Sequence, residues 1–195
     1  RTLAYAGMQN WPIKLVSPAN YQSNGASPKQ LPAIIFESSI RGKQSRLLSE
    51  HSHSEKISVS YNPNQVNQPQ DLVASFAQAF SMILIVQSGK LPPGGINFIN
   101  QAVEVVSCFL GFGVMLSNTA YQFKGGCGSC FNPYANRNVS LSEPDTLFCL
   151  ALFTVIKKIE VKQISKQLKA HLRSDFKKNV SALKKQIDDG KHPYL

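Results

Sequence analysis

The chain has 195 residues, 43% of them hydrophobic, and a formal net charge of +10. This length suits one ordinary domain with an appendage. The excess of base favours an anionic partner, meaning nucleic acid, an anionic membrane surface or an acidic protein, while four cysteines are too few for a disulfide scaffold and fit a reducing compartment.

Residues 1–70 form the first region. Pro12, Pro18, Pro28, Pro32, Pro63 and Pro69 are scattered through a Ser-, Asn- and Gln-rich background. Arg1 to Trp11 lacks the apolar core of a secretory leader, so export by a signal peptide is not expected, and a start without methionine reads as a processed or trimmed chain. Three short apolar runs, Ile13 to Val16, Leu31 to Phe36 and Ile57 to Tyr61, suit strands. None can build a core unaided, so the region reads as an extended arm or small β-containing segment. Its order must come from the body of the domain or from neighbouring molecules. His51 and His53 lie between Glu50 and Glu55, but no third ligand is placed near them by a regular element, and a solvent-facing loop is the plainer reading.

Residues 71–195 read as a helical domain. From Asp71, the positions Leu72, Val73, Phe76, Ala79, Phe80, Ile83 and Leu84 recur at spacings of three and four, and Gly89 supplies a stop. Leu91-Pro-Pro-Gly-Gly95 is a turn. A second helix follows from Ile96 to Ser117, and the short connection makes the two antiparallel neighbours. Its longest nearly apolar run, Val105 to Leu116, is short of the roughly 20 residues a membrane span needs, and Glu104 precedes it. Burial inside protein is therefore preferred to insertion in lipid.

The segment Asn118 to Leu141 contains Cys127-Gly-Ser-Cys130, whose spacing lets both sulfurs face one point, as zinc ligation, a redox dithiol or a small disulfide ring would require. Eighteen residues separate Cys108 from Cys127 and eighteen separate Cys130 from Cys149, which suggests a four-cysteine zinc site. Helical rise argues against it. At about 1.5 Å per residue both outer cysteines lie roughly 10 to 14 Å from the loop, so they are expected as buried thiols.

Ser142, Pro144 and Asp145 mark the next helix start with a capping pattern and a proline in the first turn. Leu147 to Ile156 is apolar on every side. Beyond it, Ile164, Leu168, Leu172, Phe176, Val180, Leu183 and Ile187 form one stripe, so Ser142 to Asp189 is expected as one long helix or two in line. Lys157, Lys158, Lys162, Lys166, Lys169, Arg173, Lys177, Lys178, Lys184 and Lys185 occupy the other faces. Ten bases against Glu160 and Asp175 give this stretch a net +8.

The expected fold is mainly α: an extended N-terminal arm with a few short strands, a helical hairpin, and a long amphipathic C-terminal helix. No catalytic triad or phosphate-binding glycine loop is present, and no enzyme activity is expected. The first functional reading is a structural subunit of a large assembly, such as a virion or a ribonucleoprotein, whose ten basic residues meet RNA or DNA backbone. Lysine far outnumbers arginine there and aromatics are scarce, which suits phosphate contact rather than base reading. The second reading is an accessory subunit of a membrane complex with its basic helix at the lipid headgroups. The third is a zinc or redox protein working through Cys127 and Cys130, zinc being the one cofactor the sequence would suit.

Overall fold

The structure, a computed structural model, describes residues 1–18, 34–36, 57–120 and 135–190. It is mainly helical, with short strands at the N-terminal end, a helical hairpin and an amphipathic C-terminal helix, as the sequence leads one to expect.

Helix α1 is a single turn, Thr2–Tyr5, and strands β1 (Ile13–Val16), β2 (Ile34–Phe36) and β3 (Ile57–Ser60) form a three-stranded sheet in the order β1-β3-β2. β3 pairs in parallel with β1 and antiparallel with β2, in a register that places Ile57 beside Ile13 and Phe36. All four β3 residues are buried, because its neighbours cover both edges. Ile57 and Val59 join Met8 in one small core with Ala79, Phe80 and Ile83 of the first long helix. The described part of the arm is thus held by the body of its own chain.

That helix, α2 (Pro69–Ser88), starts on a proline in its first turn and stops on Gly89, whose φ of 65° lies in the left-handed region. Gly94 and Gly95 then turn the chain at φ of 84° and 82°. A Cβ at Gly94 would lie only 2.5 Å from the Phe98 ring, so this turn admits no side chain there. Helix α3 (Ile99–Ser107) returns alongside α2 and continues through a π-type turn, Cys108–Phe112, into α4 (Gly113–Thr119). The expected single helix is therefore interrupted. Gly111 sits there at φ 98°, and Gly113 packs so tightly against Cys108 Sγ and Leu150 that a Cβ would overlap them. The polar link between α2 and α3 is buried. Ser107 Oγ donates to Val103 O at 2.7 Å, which leaves Ser81 Oγ to donate to Ser107 Oγ at 2.8 Å.

The stretch from Ser142 to Asp189 departs from the expected line of helix. It is α5 (Glu143–Ile156), α6 (Val161–Gln167) and α7 (Arg173–Asp188), with α7 packed on α5. The Ser142 cap forms as the sequence predicts, accepting from Asp145 N at 3.2 Å. The apolar stripe is real: Leu168, Leu172, Phe176, Val180 and Leu183 are buried in one core with Leu147, Leu150, Ala151, Cys108 and Leu116. Its continuity misled because i+4 spacing survives two breaks that neither proline nor glycine announces.

The first break is a six-to-one closure at the end of α5. Ile159 N donates to Thr154 O at 3.0 Å and Lys158 N to Val155 O at 3.1 Å, with Lys158 at φ 54° in the left-handed position usually taken by glycine. A side chain there is strained by roughly 1–2 kcal/mol. Lys158→Gly is expected to raise stability by about 1 kcal/mol, read as a higher midpoint in urea, and an unchanged or lower midpoint would remove the strain assignment. The second break, at Leu168 and Lys169, is held from outside. Asn118 of α4 donates from Nδ2 to Gln167 O at 3.0 Å and accepts from Lys169 N at 2.9 Å, replacing the helix hydrogen bonds lost there.

Candidate functional site

All ten basic positions singled out by the sequence are exposed. They do not share one helix. Lys157 and Lys158 close α5, Lys162 and Lys166 lie on α6, Lys169 is at the second break, and Arg173, Lys177, Lys178, Lys184 and Lys185 lie on α7. Glu143 at the start of α5 meets His171 just before α7, with Oε2 and Nε2 3.5 Å apart, so α5 and α7 begin at the same end and α6 carries the chain back to it. Helix α7, which carries five of the ten, is 16 residues and so about 24 Å long at 1.5 Å per residue.

Two of the ten are engaged. The Arg173 guanidinium donates from Nε to Leu168 O at 2.9 Å and from Nη2 to Lys166 O at 3.3 Å, capping the orphan carbonyls at the end of α6. Lys178 pairs with Asp175 at 2.9 Å, although both are largely exposed and the pair contributes little. The other eight lysines make no ion pair among the described residues. Their charge is available to a partner.

Cys127 and Cys130 lie outside the described residues, as do His51 and His53. Cys108 is buried and Cys149 half-buried. Burial pushes the Cys108 thiol well above its ordinary value, with the nearby Cys149 adding to the effect, and burial raises Cys149 too, helped by the negative charges of Asp145 and Glu104. Neither forms a thiolate nucleophile near neutrality. A group whose folded pKa is raised loses its stabilising effect as pH climbs past the unfolded value, here 9.0, because only the unfolded chain ionises above it. Stability should therefore fall above pH 9, and the Cys108→Ala variant should lose less stability over the same range. Equal alkaline loss in both proteins would show that Cys108 is not the source.

A second site escaped the sequence reading. Glu104 of α3 and Arg137 form an ion pair at 3.1 Å with both side chains fully buried. Arg137 also donates from Nε to Thr119 Oγ1 at 2.7 Å, from Nη2 to Leu116 O at 3.0 Å and from Nη1 to Asn138 O at 2.9 Å. Its backbone N–H donates to Asp71 Oδ1 at 2.9 Å. Glu104 Oε1 further accepts from Ser140 N and from Gln78 Nε2. Burial lowers the Arg137 pKa, opposed by Glu104 and Asp71, but an arginine starts so high that it stays charged. Burial raises the Asp71 carboxyl, opposed by the Arg137 N–H and by the charges of Arg137 and Lys169. The network ties α2, α3, α4 and the 135–140 segment together. It is a structural lock. The available signal was Glu104 itself, an acid inside an apolar helix that must find a buried partner.

Comparison with protein families, with characterised proteins and with solved structures finds no match.

Among the described residues, grooves open to solvent include two of note. One lies between the first turns of α5 and α7 and is lined by Glu143, Asp145, Phe148, His171, Asp175 and Lys178. Among the described residues no three metal-ligating side chains come together in a way that could hold an ion. The other lies along the distal half of the α2–α3 hairpin and is almost wholly apolar. From Leu84 to Ala102 no residue is buried, although the stretch includes Leu84, Ile85, Val86, Leu91, Ile96, Phe98 and Ile99. By length and composition alone, Pro69–Ser88 and Ile96–Thr119 are both long and apolar enough to cross a membrane. This differs from the expectation that the apolar runs are too short. The difference arises because the helices extend past the runs on both sides.

Proposed function

We propose that the chain is a non-enzymatic structural subunit of a larger assembly that contacts nucleic-acid backbone through the lysines of α6, α7 and the turn before them. The observation carrying this reading is the set of eight exposed lysines that make no ion pair among the described residues, distributed over the end of α5, α6, the second break and α7, a helix about 24 Å long. A nucleic-acid strand presents a phosphate about every 3.4 Å, so a surface of that length faces roughly seven of them. Lysine contributes a point charge without the planar fork that reads base edges, so contact should be independent of sequence.

A direct test is gel retardation of random-sequence duplex DNA and single-stranded RNA by the full chain at low salt. Retardation of both, with little preference among sequences, is the expected result. Failure to retard either at 50 mM salt would remove the proposal.

A further inference from the structure

The apolar groove on the α2–α3 hairpin uses none of the residues assigned to the backbone contact. It is formed by Ile85, Leu91, Phe98, Ala102, Val105 and Val106, with Pro92 and Pro93 at the turn, and has a volume of about 490 Å³, within the range of small-molecule sites. From Phe98 to Val106 is eight residues, so the groove is about 12 Å long at 1.5 Å per residue. Three polar side chains line it. Ser88 donates to Ile85 O and is satisfied within its own helix. Lys90, exposed at the hairpin turn, is the single charge. Gln101 reaches a buried position where its Oε1 has no hydrogen-bond partner among the described residues.

The chemistry of this lining selects among occupants. A peptide brings a donor and an acceptor at every residue, and apolar walls with one free amide oxygen would leave most of them unsatisfied. An acyl chain brings none. A headgroup carrying a negative charge and a hydroxyl would meet Lys90 and Gln101, one at the mouth and one partway along. The surroundings extend the match. Leu91, Ile96 and Phe98 around the turn are 66%, 60% and 52% exposed, a cluster of large apolar side chains beyond what a solvated hairpin turn needs. The single charge, Lys90, stands at the mouth of the apolar slot, an arrangement complementary to an anionic lipid headgroup.

We infer that the groove between α2 and α3 binds one acyl chain of an anionic phospholipid, with Lys90 facing the phosphate, Gln101 accepting a hydrogen bond from the headgroup glycerol, and the exposed hairpin turn resting in the bilayer interface.

The probe is monomeric lysophosphatidylglycerol, titrated calorimetrically into the full chain, with lysophosphatidylcholine as the zwitterionic comparison. One saturable site is expected, several-fold tighter for the anionic lipid. Ala102→Trp, which fills the groove, should weaken binding at least tenfold, and Lys90→Gln should remove the preference for the anionic headgroup. Replacing Lys162, Lys166, Lys177 and Lys184 by glutamine should leave this binding unchanged while impairing the nucleic-acid contact, so the two proposals fail separately. Circular dichroism melting checks that Ala102→Trp folds. Should it not fold, nitroxide-labelled stearate added to the wild type should broaden the nuclear resonances of Ala102, Val105 and Val106. Absence of a saturable site, equal binding by a folded Ala102→Trp protein, or broadening confined to other regions would overturn the inference.

Discussion

Arg137→Met is expected to destabilise the protein by about 3–5 kcal/mol, the range found when one partner of a buried ion pair is removed. The loss has two parts. Glu104 remains buried with its charge unpaired, and the carbonyls of Leu116 and Asn138 lose donors that water cannot easily replace. Against a total of roughly 5–15 kcal/mol for a typical domain, such a change leaves a large unfolded fraction in mild denaturant. The measurement is urea unfolding followed by circular dichroism. Glu104→Leu alone should be similarly harmful, because it strands the guanidinium. The double variant decides the interpretation: if the pair is the lock, Glu104→Leu with Arg137→Met should lose at least about 1 kcal/mol less than the two single losses added together. Strict additivity would mean that the two residues act through separate contacts and that the network is not a unit.

This pair also marks the limit of what the sequence disclosed. Helix positions in the hairpin were legible because Leu72, Phe76, Ala79, Phe80 and Ile83 repeat at helical spacing and Gly89 stops the run. The cap at Ser142 was legible from Ser, Pro and Asp at fixed offsets. Partnership between Glu104 and Arg137 was not, because no local pattern connects two residues 33 positions apart. The fold-back of α6 and α7 was hidden for a related reason. A helix usually ends at a residue that says so, whereas Leu168 and Lys169 are ordinary helix formers broken by Asn118, a side chain on another helix. Tertiary hydrogen bonds override propensity when they replace what the break removes. The ten bases were expected on the polar faces of one long helix or two in line, whereas they are divided among the end of α5, α6, the second break and α7. Arg173 illustrates the consequence: sequence counts it as a cation for a partner, while in the fold its guanidinium holds the end of α6.

That distinction shapes the salt titration, the second large effect expected. Each lysine that neutralises a phosphate on duplex DNA releases a counterion, so the logarithm of the affinity falls with the logarithm of salt at a slope of about −0.9 per contact. Lys162, Lys166, Lys177 and Lys184 are exposed, make no ion pair among the described residues and lie off the buried stripe. Replacing all four by glutamine should leave the fold intact, whereas including Arg173 would uncap α6 and confuse binding with stability. If all four touch phosphate, the slope should become shallower by roughly 3.6, and affinity at 50 mM salt should fall by two orders of magnitude or more. Lys158→Gly should remove one further contact while raising stability, moving binding and folding in opposite directions in a single substitution. A fourfold variant with the wild-type slope would mean that these lysines only solvate the surface, and a variant whose melting point drops with its affinity would mean that the surface was chosen wrongly.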